Sequence, residues 1–251
     1  MPRFFVDASQ IEGDHATLLD ADAEHLARSL RARPGETIVV VAGGAVEHGV
    51  VLQHVSAARI SGTVVWTRPV SGEPRRAVHV LQAVPAQGMD ATIEALTVAG
   101  VASIRPVLTG RTVVRPDAVQ ASRRTERWQT IAREAAQLAG RAAPPAVSPV
   151  MSLRDALAHV PATARVIACV IDPAATPMLR AASTSPSEIA LVIGPEGGLD
   201  DSDMNALDSV GAAYAHLGPR TLPSRLAGAI ATALLLAGAG DLDSTAEPVP
   251  Q

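Results

Sequence analysis

Two different periods of apolar residues divide the chain. In "ETIVVVAGGAVEHGVVLQHV" two β-branched runs flank Gly43-Gly44, which predicts a hairpin, and "RISGTVVWTRPV" supplies a further strand. Before them, "DADAEHLARSLRAR" carries the one helical spacing of the first seventy residues. The pattern predicts a small, mostly β unit of barrel type with one short helix. Residues 70–76, "VSGEPRR", mix Ser, Gly and Pro with charge and read as a linker. From Ala77 onward strands and helices alternate. "AVHVLQAV", "IRPVL", "ARVIACVI", "IALVI" and "AAYAHL" are apolar runs of buried-strand length. Between them, "MDATIEALTVAG" is a helix closed by Gly100. A second helix carries the stripe Trp128, Ile131, Ala135 and Leu138 and ends at Gly140. Asp200 caps a third, and Ser224 to Leu236 form a last helix that is apolar nearly all round. This order predicts a mainly parallel sheet covered on both faces.

Composition narrows the classes without choosing among them. With 251 residues, 47% hydrophobic and 18% charged, the chain can bury a sizeable core and is not of the disordered type. All basic residues are arginine, so no P-loop lysine is available. The net charge of −4 is unevenly spread, since residues 71–149 carry 10 Arg against 6 acids while residues 150–251 carry 5 against 11. A positive middle segment suits a phosphate-bearing partner. Cys169 is the only cysteine, which excludes a disulfide framework and fits a reducing cytoplasm. The seven histidines show neither H-x-x-x-H nor H-E-x-x-H spacing, so no metal site is expected. The start "MPRFFVDASQ" lacks signal-peptide character, and the longest apolar stretch, Ala227 to Ala239, is too short to span a bilayer. No membrane association is expected.

Candidate chemistry lies in two neighbouring turns. "IALVI" breaks on Gly194-Pro195-Glu196-Gly197-Gly198, and "AAYAHL" breaks on Gly218-Pro219. In open parallel sheets, ligands bind outside the carboxyl ends of strands, and glycines let backbone N–H groups approach them. The spacing is that of neither a dinucleotide fingerprint nor a P-loop.

The pieces "LVIGPEGG" and "LGPRTL", with "MPRFFVD", "RARPGETIVV", "ASIRPVLTGRTVVR" and "RWQTIAREAAQLAGR" in the same order, are similar to the signature of the RsmE-type 16S rRNA uridine methyltransferases of the SPOUT superfamily. The resemblance implies an α/β protein with a PUA-like, RNA-binding β-barrel over residues 1–70 and a SPOUT trefoil-knot domain over residues 77–243. It implies a homodimer that binds S-adenosyl-L-methionine and methylates ring nitrogen 3 of a uridine in 16S rRNA of the small ribosomal subunit. The cofactor would be wrapped by Ile193, Gly194, Glu196, Gly197, Gly198, His216, Leu217, Gly218, Arg220 and Leu222, with Asp172 as a third wall. Methyl transfer from a sulfonium needs no metal. It needs a cation for the anionic uracil, with Arg220 and Arg225 as candidates. Arg28, Arg31, Arg111, Arg115 and Arg141 are candidates for RNA contact.

The chain departs from the family pattern at polar positions. Ala95 and Val98 stand where the family has Lys and Glu, Leu138 stands for Gln, and Pro223-Ser224 stand for Arg-Thr. Two further readings therefore stay open here. One is a SPOUT-fold paralogue with a changed RNA substrate or weakened catalysis. The other is a non-catalytic RNA- or ribosome-binding protein of the same fold.

Overall fold

The computed structural model describes residues 1–243. Residues 244–251 lie outside the described residues. The chain divides into two compact units.

Among the described residues, the first unit comprises residues 1–73 and 136–143. Its strands are β1 (Arg3–Val6), β2 (Ile11–Glu12), β3 (His15–Leu19), β4 (Thr37–Ala42), β5 (Val46–Val55) and β6 (Arg59–Pro69). They form one sheet in the order β1-β4-β5-β6-β3-β2, with β1 parallel to β4 and the other pairs antiparallel. The predicted hairpin is β4–β5, turned by Gly43 and Gly44, both at positive φ. Helix α1 (Asp20–Glu24) runs on into a wider π-helical turn, His25–Ser29, and packs Ala23 and Leu26 against Phe4, Ile38 and Ile60. The helical segment is shorter than the sequence predicts, because Arg31 takes a left-handed conformation (φ 54) that stops it.

Residues 136–143 belong with this unit, although the sequence reading assigns them to the second. Ala136 is buried with Phe5, Val39 and Val41. Arg141 is 9% exposed and donates to Glu73 at 2.8 Å. Burial pushes the Glu73 carboxyl up, but hydrogen bonds from Arg141 and the Ala142 N–H outweigh it and hold the group below its ordinary value.

The second unit comprises, among the described residues, 74–135 and 144–243. Its strands are β7 (Ala77–Ala83), β8 (Ser103–Leu108), β9 (Ala146–Val147), β10 (Met151–Ser152), β11 (Arg165–Cys169), β12 (Thr176–Pro177), β13 (Glu188–Ile193) and β14 (Ala213–His216). The order is β10-β8-β7-β13-β11-β14-β12, all parallel, with β9 also on β8. Helices α2 (Met89–Val98), α3 (Ala118–Leu138), α4 (Leu153–Ala158), α5 (Met178–Ser183), α6 (Asp201–Ser209) and α7 (Ser224–Ala237) cover it.

Strand alternation explains the layers. On β13, Ile189, Leu191 and Ile193 point into one cluster with Ile93 of α2, Met178 of α5 and Leu235 of α7. Ala190 and Val192 point the other way, into a cluster with Leu157 of α4 and Leu207 of α6. A central strand buried on both faces has no polar side to show, which is why "IALVI" reads as an unbroken apolar run. The α3 stripe keeps Trp128 and Ala135 buried, but Leu138, at the stripe's margin and the helix's last residue, is 85% exposed. Among the described residues no helix is long and apolar enough to cross a membrane.

Candidate functional site

Three adjacent parallel strands, β13, β11 and β14, end on the same side of the second sheet. Where they end there is a cavity of about 490 Å³. Its walls are Cys169 to Ile171 after β11, Ile193 to Glu196 with Gly198 and Leu199 after β13, and Leu217 to Ser224 (Pro219 excepted) between β14 and α7. This is the volume class of small-ligand sites, at the place where open α/β sheets put them.

Each wall has a local cause. The Gly194–Gly198 segment folds into a turn closed by the Gly198 N–H on the Pro195 carbonyl at 2.9 Å. Gly198 has φ 73, a conformation that an L side chain resists. Gly197 serves another purpose: its open side faces the Arg111 stem, and its carbonyl accepts from Arg111 at 2.8 Å. Gly110 donates to the Asp203 carboxylate, and a Cβ there would overlap the Asp200 carboxylate. Residues 110–111 thus brace the turn from behind, while Asp200 and Asp203 cap α6 reciprocally.

The turn after β14 is tied to the turn after β13 by one hydroxyl. Ser224 Oγ donates to the Gly194 carbonyl at 2.6 Å and accepts from Gln82 Nε2 at 3.2 Å. Gln82 is fully buried on β7, and its Oε1 has no partner. Sequence reasoning missed Gln82 and counted Ser224 as a loss. Ser224 supplies a hydroxyl, so of the Pro223-Ser224 pair only Pro223 removes a polar side chain.

The cavity lining is mainly apolar, with Glu196 its one carboxylate and Arg220 its one guanidinium. Glu196 also accepts from the Ala86 N–H at 3.3 Å. The backbone of residues 220–222 makes no hydrogen bond among the described residues, so its donors and acceptors are open to a ligand. Burial pushes the Cys169 thiol up to about 12, so it is a neutral wall and not a thiolate nucleophile.

Of the sequence candidates, the structure brings Ile193, Gly194, Glu196, Gly198, Leu217, Gly218, Arg220 and Leu222 to the cavity. Gly197, Asp172, His216 and Arg225 do not line it. Asp172 accepts the Ala174 N–H at 2.8 Å, leaving the third wall to Val170 and Ile171. His216 Nδ1 accepts the Gly218 N–H at 3.1 Å and so shapes the turn from outside. Arg225 is exposed, with its Cδ beside Gly88. Leu199 and Met204 were not anticipated; they arrive through the fold and carry no motif, whereas Thr221 belongs to the "LGPRTL" stretch.

The RNA candidates differ among themselves. Arg111 and Arg115 are exposed, though each also donates to a backbone carbonyl. Arg28 pairs with Glu24 on the surface at 2.7 Å, and Arg31 is exposed. Arg141 is buried on Glu73 and holds the first unit together. Among the described residues no cluster of three His, Cys, Asp or Glu could hold a metal ion.

Comparison with known proteins agrees with this geometry. The chain is 28% identical over 234 residues to the ribosomal RNA small subunit methyltransferase E of Mycobacterium bovis, covering 91% of this chain and 88% of the relative. It is 25% identical to the protein of that name from Bacillus subtilis, covering 90% and 93%. The crystal structure of a ribosomal RNA small subunit methyltransferase E from Neisseria gonorrhoeae, bound to S-adenosyl methionine, has a TM-score of 0.84 at 28% identity, covering 94% of this chain and 97% of that one. The RNA methyltransferase domain family matches residues 72–236, and the chain belongs to that family.

Proposed function

We propose that the protein transfers the methyl group of S-adenosyl-L-methionine to ring nitrogen 3 of a uridine in 16S rRNA of the small ribosomal subunit. The observation that carries this reading is the cavity at the ends of β11, β13 and β14, in a chain so similar in fold to a relative bound to that cofactor. The residues present fit it. Val170, Ile193, Leu199 and Leu217 offer apolar walls to a purine, and the unpaired backbone of 220–222 offers hydrogen bonds to its edge. Glu196 brings the one negative charge to a ligand that is itself positive.

The bound cofactor supplies a methyl group on a positively charged sulfur that leaves as a neutral thioether. Everything else falls to the chain. The two tied turns would hold the donor in one place for a base that the chain also positions, which would replace a bimolecular encounter by a held geometry. Arg220, at the cavity and exposed, stabilises the negative charge left on the uracil ring as its N3 proton goes to water. Arg225, which the sequence made an alternative for this role, stands outside the cavity.

The first unit is read as a PUA-like barrel, formed by its six-stranded sheet, and the second as a SPOUT trefoil knot. The second reading is supported by the family membership over residues 72–236, and both by the full-length similarity in fold. Arg28, Arg31, Arg111 and Arg115 are the proposed RNA contacts. A homodimer is supported by the outer side of α7, where Leu226 and Ile230 are 42% and 38% exposed. A cytoplasmic location follows from the substrate.

The test is direct. Small subunits from cells lacking the gene are incubated with the purified protein and the cofactor, and the rRNA nucleosides are analysed by mass spectrometry. Appearance of 3-methyluridine is expected. Cofactor binding by calorimetry with no methylated uridine overturns the proposed reaction.

A further inference from the structure

A second pocket, of about 300 Å³, lies beside the first in the same unit. It is bounded by Val84, Gln87 and Gly88 of the β7–α2 loop and by Arg124, Arg127 and Trp128 of α3. We propose that this pocket holds a phosphodiester of the RNA next to the target uridine, with Arg124 and Arg225 as its cations. The inference rests on the RNA methyltransferase reading above and adds a substrate-binding site to it.

Charge accounting carries the argument. The one acid of the pocket, Asp90, is already saturated: Oδ2 accepts from Arg127 at 2.9 and 2.6 Å, and Oδ1 accepts from the Trp128 indole N–H at 3.1 Å. Arg124 is half-buried and makes no hydrogen bond or ion pair among the described residues. Arg225 approaches the same loop from α7, its Cδ 3.5 Å from where a Gly88 Cβ would stand, and it too has no partner among the described residues. Arg124 on the pocket lining and Arg225, whose stem reaches the Gly88 loop, both lack an acceptor among the described residues, and Arg124 is partly withdrawn from water. A phosphate oxygen pair is the acceptor whose geometry a guanidinium fork matches.

Position ties the pocket to the reaction. Ala86 of the same loop donates to Glu196 on the cavity wall, two residues before Gly88. Ser224, tied to the Gly194 carbonyl, is the residue before Arg225. The loop that bounds the pocket is thus hydrogen-bonded to the wall of the cofactor cavity through Ala86 and Glu196. A strand whose phosphate sits between Arg124 and Arg225 places its neighbouring nucleotide at the cavity. The volume suits a phosphate with its sugar and does not suit a folded peptide element.

The experiment compares wild type with Arg124→Ala, Arg225→Ala, the double variant and Arg124→Lys. Binding to protein-free small-subunit rRNA is measured by filter retention across a salt series, and cofactor binding by calorimetry. Each lost phosphate contact should flatten the log–log salt dependence by about 0.7 for single-stranded RNA, so the double variant should lose about 1.4. Its rRNA affinity should fall about tenfold or more at low salt, Arg124→Lys should recover part of it, and cofactor affinity should stay within about twofold. A double variant with unchanged slope and unchanged rRNA affinity overturns the pocket. Free phosphate at millimolar concentration should compete only weakly; if it binds the wild type as tightly as the RNA does, the site is one for small anions and the proposal is overturned. Failure of the wild type to bind the cofactor would instead overturn the proposed reaction, while the salt slopes would still report on the pocket.

Discussion

The two pockets of the second unit are neighbours made of different materials. The strand-end cavity is walled mainly by apolar side chains and presents polarity through backbone at Gly194, Gly198 and residues 220–222, two hydroxyls, Thr221 and Ser224, and the single charges of Glu196 and Arg220. The loop pocket presents polarity through side chains, with Arg124 on its lining and Arg225 beside its loop, neither of which has an acceptor among the described residues. A site built on backbone recognises one rigid ligand by shape, and its geometry is fixed when the sheet forms. A site built on long cations recognises charge, tolerates small displacements and weakens with salt. One chain thus holds a donor by form and its acceptor strand by charge.

The largest expected effect breaks the first of these. Gly198→Val puts a β-branched residue at φ 73 on the cavity wall. Recovering the left-handed turn costs about 2 kcal/mol, so cofactor affinity by calorimetry should fall about thirtyfold or more. Gly197→Ala should change it less than about threefold, because its Cβ would meet only the Arg111 stem at an ordinary 3.4 Å. Equal losses in the two variants would mean that the turn binds through both glycines.

A somewhat smaller effect separates arginines that build from arginines that bind. Arg141→Ala should cost about 2–3 kcal/mol of stability in chemical denaturation, the scale for breaking a largely buried pair after discount for the partly exposed Glu73. Its effect on the salt dependence of RNA binding should be nil. The pair also sets a sign for acid. Glu73 is held below its ordinary value, so the stability it contributes is complete above that value and is lost as pH falls through its lowered one. Arg141→Ala should blunt this acid sensitivity. A variant as acid-sensitive as wild type would remove Glu73 from the account.

What the sequence revealed follows the same division of materials. The parallel sheet, the hairpin at Gly43-Gly44 and eight of the cavity residues were legible, because apolar runs and Gly-Pro breaks encode backbone directly. Leu199 and Met204 were not, since nothing local marks a residue that reaches the cavity only once α6 is capped. Arg124 and Arg225 lie about a hundred positions apart, and only the fold brings one to the pocket and the other to the loop that bounds it. Arg141 misled for the opposite reason: it matches an arginine of the family pattern, but the partner that buries it is Glu73, in the stretch read as linker.

Ser224 sharpens the comparison at the level of one hydrogen bond. Ser224→Ala removes the link between the two turns and leaves the Gly194 carbonyl without that donor, at a cost of about 1–2 kcal/mol. Cofactor affinity should fall about five- to twentyfold, and Ser224→Thr should restore it to within about twofold. If alanine is as good as serine, the turns hold their places without the tie.

The smallest expected effect asks whether the strand-end cavity contributes a nucleophile or only form. Cys169 lies on its wall, and burial raises the thiol to about 12 from the ordinary 9.0. At pH 8 that leaves about one thiolate in ten thousand, against about one in ten for an unperturbed group of that ordinary value. Alkylation by iodoacetamide should therefore be slower than that of a small free thiol by about two to three orders of magnitude. Cys169→Ala removes one sulfur from a wall that keeps Val170 and Ile171, so methyl transfer should stay within about threefold of wild type. A mechanism that passed through a covalent adduct to the base would instead lose activity altogether in this variant. Retained activity with a sluggish thiol places the cavity's contribution in positioning and electrostatics, with Arg220 as the side chain whose removal should be felt. A Cys169→Ala enzyme that is inactive yet binds cofactor normally would reverse that assignment and make the wall a participant.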